Sequence, residues 1–270
     1  MTVMAAGPFQ KGMSPKTISL KFNKRRVSGF TGNQLKMIAF ILMLCDHIGY
    51  MLIENGVLYG QNPIYWNLAL QTAAGQHWYL LAQVLRFLGR LSFPIFAFLV
   101  AEGYSHTGNA GRYIFRLAVF AALSEVPFDL AVKGVVYYPE YQNVMITLAL
   151  GAAGLTVGNK LGAKHIGLRV FIYALFCGAA YLAKSDYGAV GVLLIAVMYE
   201  LRSDKKFRMI AGAVISAAES IGYSGVAALS YAFIWFYNGR RGDMPMRYFF
   251  YIGYPAHLLL FWALVYFANR

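Results

Sequence analysis

The chain has 270 residues, 59% of them apolar and only 13% charged, with a mean hydropathy of +0.51. Soluble chains are nearer half apolar and a quarter charged, and one core of this size cannot hide so much apolar surface. The composition therefore excludes an ordinary soluble domain and points to an integral membrane protein. The formal charge of +13 does not mark a nucleic-acid binder, because the basic residues fall between apolar segments rather than in one patch. Cys45 and Cys177 both lie inside apolar runs, which argues against a disulfide framework or a zinc site.

In chain order, residues 1–30 form a basic extension that includes Lys24-Arg25-Arg26 and has no apolar run of signal-peptide length. A membrane helix needs ~20 mostly apolar residues. Nine stretches are read as spans: 35–53, 79–104, 113–132, 143–158, 166–183, 188–201, 208–222, 225–237 and 248–269. The stretch 54–78, with Trp66 and Trp78, belongs at the interface, where tryptophan is favoured. The expected fold is an all-α polytopic bundle of about nine transmembrane helices over 31–270, behind the extension 1–30.

Lysine and arginine positions test that layout. Nineteen fall on one side, from Lys11 through Arg112, Lys160, Arg208 and Arg247, against Lys133, Lys184 and Arg270 on the other. The positive-inside rule then sets the N-terminus in the cytoplasm and the C-terminus outside, in the plasma membrane. No internal repeat is visible, so an inverted-repeat transporter is not supported.

Charged groups inside such spans cost at least ~2.5–3.5 kcal/mol and need partners or a wet cavity. The first span carries Asp46-His47, the second Arg86, Arg90 and Glu102, and the third Glu125 and Asp129. Asp186 stands just before the sixth, Glu219 is in the seventh, and the last holds Tyr254-Pro255-Ala256-His257. At ~1.5 Å rise per residue, His47, Glu125, Asp129, Arg86, Arg90 and Asp186 fall in the outer half, with His257 near mid-membrane. Five helices thus supply titratable groups to one outward-leaning cavity. On an ideal α-helix His47 shares a face with Tyr50 and, two turns on, Glu54, whereas adjacent Asp46 points ~100° away. A carboxylate partner for His47 is expected from Glu125, Asp129 or Asp186. Arg86 and Arg90, four apart, are expected to hold those carboxylates ionised, or to snorkel to the interface. Asp46, His47 and His257 are formally able to ligate a metal, but without metal-site spacing none is expected.

The same residues carry a resemblance. Gln34-Leu35-Lys36-Met37-Ile38-Ala39 leading to Asp46-His47-Ile48-Gly49 is similar to the opening of the TraX family. The likeness continues through Gly89-Arg90-Leu91-Ser92-Phe93-Pro94, Ala101-Glu102-Gly103-Tyr104, Arg112-Tyr113, Ser124-Glu125-Val126-Pro127-Phe128-Asp129 and Gln142-Asn143-Val144. Asp186-Tyr187-Gly188, Tyr237-Asn238-Gly239, Tyr251 and Tyr254-Pro255-Ala256-His257 follow in the same order, so it covers about 32–270 and leaves the extension out. The resemblance implies a membrane acetyltransferase, since the family is named for a conjugation protein that acetylates the N-terminus of pilin. It also looks distantly related to transmembrane acyltransferases that modify sugars, in which a first-helix histidine carries the chemistry; His47 is the matching residue.

Acetyl transfer needs a base, stabilisation of an oxyanion and a held thioester. His47 is expected as general base or acetyl carrier, with an acid from Glu125, Asp129 or Asp186 to orient it and His257 or Tyr254 as oxyanion donor. Tyr50, Arg86 and Arg90 complete the substrate side. Cytoplasmic Arg112, Arg116, Arg240 and Arg241, with Lys160 and Lys164, are expected to meet the phosphates of acetyl-CoA, as alternatives to a plain positive-inside role. The expected partners are membrane lipids, acetyl-CoA and an acceptor protein or glycan reached from outside. A proton-coupled transporter built on the same Asp, Glu, His and Arg groups stays open at this point.

Overall fold

A computed structural model describes residues 28–243 and 248–268. The extension through Val27, Arg247 and Arg270 lie outside the described residues. The described chain is all-α: α1 (Gly32–His47), α2 (Pro63–Leu70), α3 (Ala73–Gly89), α4 (Ser92–Ser105), α5 (Ala110–Lys133), α6 (Val144–Leu161), α7 (Ile166–Leu182), α8 (Gly188–Glu200), α9 (Lys205–Glu219), α10 (Ser230–Trp235) and α11 (Phe249–Ala268). Among the described residues there are only two isolated bridges, Phe30 with Tyr237 and Gln142 with Ser185.

Local chemistry sets most helix starts. Thr31 and Gln34 form a reciprocal capping box on α1, and the side chains of Asn62, Thr72, Asn109, Asn143 and Asp204 cap α2, α3, α5, α6 and α9. Gly134 ends α5 in the left-handed conformation, which costs glycine nothing. Helix α4 is apolar all round and buried along most of its length, including Phe93, Ile95, Phe98 and Ala101, so it is the axis of the bundle. Apolar side chains of α3, α7 and α11 point outward instead, among them Leu80, Val84, Phe171, Leu175, Leu260 and Leu264. In water such a belt is a liability; against lipid it is the expected surface.

Four stretches are long and apolar enough to cross a bilayer: Gly32–Val57, Ala73–Ser105, Val144–Leu161 and Phe249–Ala268. The chain thus has the character of a helical membrane protein. Shorter helices over 166–182 and 226–235 fill the places where further spans were expected.

One departure from the expected geometry positions the site. After His47 the helix continues to Val57 as a π-helix. Bonds from i to i+5 advance ~80° per residue rather than ~100°, so seven residues no longer return to the same face. His47 and Glu54 are therefore on different faces, against the expectation. Asp46 and Glu54 both turn toward α3 instead. There Gly89 lets the backbones meet, since a Cβ on it would lie 2.2 Å from the Asp46 Cβ.

Candidate functional site

His47 at the end of α1 meets His257 of α11, with rings stacked at 13° and His47 Nδ1 2.5 Å from His257 Nε2. The other nitrogen of His257, Nδ1, lies 2.7 Å from the Gly253 carbonyl. A carbonyl only accepts, so His257 Nδ1 carries the proton and its Nε2 is an acceptor. His47 must then donate from Nδ1, which leaves His47 Nε2 with its lone pair. The network assigns the tautomers of both rings. His257 is 7% exposed and packed between Phe40, Tyr254 and Phe261, whereas His47 is only partly buried.

The carboxylates are spent elsewhere. Arg90 donates to Asp46 at 3.0 Å, and Arg86 donates to Glu54 at 2.6 Å with its Nε 3.9 Å from Asp46. Gln83 adds a bond to Glu54. The arginine pair therefore holds the acids of its own neighbour α1, not those of α5, and its guanidinium groups lie over Tyr50 and Tyr223. Glu125 accepts from the Asn143 side chain, and Asp129 accepts from the Tyr138 amide at 2.8 Å. Asp186 accepts from the Tyr141 hydroxyl at 2.6 Å, and burial raises its carboxyl to about 6 against the pull of that bond and of Arg90. His47 thus hydrogen-bonds to His257, not to the expected acid. His257 in turn has both nitrogens engaged, which removes it as an oxyanion donor. Tyr254 remains beside both rings, at 6.5 Å from His47 and 5.7 Å from His257 by centroid, with its hydroxyl against the Val144 amide.

Two connected cavities lead toward the pair. A mouth of about 690 Å³ is lined by Lys36, Arg112, Arg116 and Arg241, with Glu102 and His106. It brings together three of the four arginines expected there; Arg240 is not part of the wall and contributes its backbone carbonyl to the start of α1. An apolar throat of about 160 Å³ shares Lys36, Leu99, Gly103, Tyr113 and Tyr251 with the mouth and ends against Met43 and Tyr254. Those two stand one helical turn from His47 and His257. Sequence reasoning quoted Lys36, Tyr113 and Tyr251 in the family likeness, counted Lys36 among the positive-inside residues, and gave none of the three a role at a binding site. An isolated lysine just inside an apolar run was the signal for the first.

The second ion-pair system lies at the mouth. Arg208 of α9 donates to Glu102 of α4 at 2.8 Å and lies over Phe98, and His106 is 3.6 Å from the same carboxylate.

No solved structure matches this chain. It is 26% identical over 254 residues to "Probable fimbrial assembly protein FimC, serogroup H1" of Dichelobacter nodosus, covering 86% of this chain and 94% of that protein. The family described as TraX protein matches residues 31–265, which take in α1 through most of α11 and with them both histidines and the basic mouth. The chain belongs to the TraX family.

Proposed function

We propose that this chain is a membrane-embedded acetyltransferase that moves an acetyl group from acetyl-CoA to an amine or hydroxyl. The observation that carries the reading is the His47–His257 pair, whose bonding leaves the His47 Nε2 lone pair free one helical turn beyond Met43 and Tyr254, which line a throat adjoining a cationic mouth. The residues fit such a donor. Arg112, Arg116, Arg241 and Lys36 would hold the phosphates, and the apolar throat would take the pantetheine arm. Lys36 and His47 are eleven positions apart, about 16 Å at ~1.5 Å per residue. A pantetheine arm extends like some four peptide residues, ~14 Å at ~3.3–3.6 Å each.

The thioester supplies an activated acetyl carbon. His47 Nε2 takes the proton of the attacking amine or hydroxyl and returns it to the departing sulfur. His257 accepts the His47 Nδ1 proton in a hydrogen bond and is itself anchored by the Gly253 carbonyl, so the base is held in one tautomer. Tyr254 is the hydroxyl available for the developing oxyanion, and Arg86 and Arg90 lend positive field beside His47. With the mouth on the cytoplasmic, arginine-rich side, a cytoplasmic donor serves an acceptor from outside.

Thiol release from acetyl-CoA by the detergent-purified protein tests this. Turnover that is lost in His47→Ala with acetyl-CoA binding retained supports the reading. A folded protein that does not bind acetyl-CoA overturns it and favours the transporter.

A further inference from the structure

A third cavity, about 440 Å³, lies between the π-helical continuation of α1, the end of α5 and α11, with Met51 and Phe261 standing between it and the histidine pair. Its wall includes the amides of Asn55, Gln61 and Asn62 and the rings of Phe261, Trp262 and Tyr266. Phe261 is its connection to the chemistry, because that ring packs edge-on against His257 with centroids 5.6 Å apart. Met51, also in the wall, lies four residues beyond His47. The throat reaches Met43 and Tyr254, one helical turn before the two histidines, and this cavity reaches Met51 and Phe261, one turn after them.

The lining specifies what it will hold. No charged side chain belongs to the wall among the described residues. A peptide N-terminus, with a pKa near ~7.7–8.0, is largely an ammonium at neutral pH and would lack a carboxylate here. A phosphate would lack a cation. The amides offer both hydrogen-bond polarities. Asn55 Nδ2 is buried without a partner; Gln61 spends its amino group on the Val132 carbonyl, leaving its oxygen; Asn62 spends its oxygen capping α2, leaving its amino group. Vicinal hydroxyls both donate and accept, and the C–H face of a sugar ring packs on an aromatic plane such as the stacked Trp262 and Tyr266. The volume is within the usual range of ligand pockets, ~300–1,000 Å³.

The geometry points to this cavity as the acceptor subsite, for a neutral saccharide unit; this rests on the acetyltransferase reading. A sugar hydroxyl oxygen bonds to the acetyl carbon, the carbon–sulfur bond breaks, and the hydroxyl proton passes through His47 to the coenzyme sulfur.

Titration calorimetry with chitotriose, maltotriose and trialanine, in a detergent without a sugar headgroup and with no acetyl-CoA present, tests the cavity alone. Expected are binding of an oligosaccharide, at least tenfold weakening in Trp262→Ala and in Asn55→Ala, partial rescue in Trp262→Phe, and no change in Gly167→Ala, a position with nothing within 4 Å of an added methyl. Binding of neither sugar by a monodisperse protein overturns the proposal, as does displacement of bound sugar by trialanine or equal binding in Trp262→Ala. A glycolipid that competes with the free sugar supports it and identifies the headgroup as the source. Because acetyl-CoA is absent, failure here leaves the donor reading standing, and loss of the donor reading leaves the binding result intact.

Discussion

His47 Nδ1 and His257 Nε2 lie 2.5 Å apart although 210 positions separate them in the chain. General acid–base groups contribute ~10²–10⁴ in rate, so His47→Ala is expected to lower thiol release by that order. A partner that fixes the tautomer of a catalytic histidine contributes up to ~10⁴-fold. His257→Ala is expected to fall in that range, and His257→Gln to recover part of it, because an amide oxygen accepts the Nδ1 proton while alanine does not. Equal rates for the two His257 variants would remove the orienting role.

On the proposed reading the mouth serves binding and not chemistry. Arg112→Ala and Arg241→Ala are expected to raise KM for acetyl-CoA several-fold with kcat nearly kept, more so at low ionic strength, where exposed charges are least screened. Arg240→Ala, outside the wall, is expected to behave as wild type. Initial rates at two salt concentrations check both statements.

Glu54→Gln is expected to lower Tm. Removing one partner of a fully buried pair costs about 3–5 kcal/mol; Arg86 keeps a fifth of its side chain exposed and a second acid, Asp46, nearby, so about 1–3 kcal/mol is expected. Thermal unfolding in detergent of Glu54→Gln, Arg86→Gln and the double variant measures the coupling.

Gly89→Ala probes the α1–α3 contact. The added methyl would sit 2.2 Å from the Asp46 Cβ, so the helices must separate and the Arg90–Asp46 bond lengthens. A lower Tm is expected, while Gly167→Ala, which meets nothing within 4 Å, serves as the neutral control.

Asp186 gives a pH signature. Its carboxyl is raised from 3.8 to about 6 by burial, so the folded state holds a proton that the unfolded state has released between those values. Stability from this group is present below pH ~4 and is lost as pH rises through ~6. Asp186→Asn is expected to flatten the fall in Tm between pH 4.5 and 6.5, read by unfolding scans across that window.

Much of the site was legible because lipid makes polar residues expensive. His47, Asp46, Arg86, Arg90 and His257 stand out in apolar runs for that reason alone, and α1, α3–α4, α6 and α11 emerge as long apolar helices. The pairing was less legible. Helical-face reasoning assumes ~100° per residue, and the π-winding over Ile48–Val57 breaks it just past His47, which sends Glu54 to Arg86. The stacking of His47 on His257 depends on α11 returning beside α1, a packing relation that no local pattern encodes. Arg240 and Arg241 are neighbours in sequence, yet only one reaches the mouth, because that choice belongs to the backbone of the turn.

That turn ties the first amides of α1 to its own carbonyls: Gly32 bonds to Arg240 and Asn33 to Arg241, while beside them the Phe30 amide donates to the Phe236 carbonyl and the Phe30 carbonyl accepts from the Asn238 amide. The strand-like splice fixes the Arg241 backbone to the first turn of α1. Since α1 is a stiff rod of about 22 Å from Gly32 to His47 at ~1.5 Å per residue, a phosphate that draws Arg241 inward tugs on the same shaft that bears the imidazole at its far end. On the proposed acetyltransferase reading, α1 joins the donor's phosphate site to the base through one continuous rod.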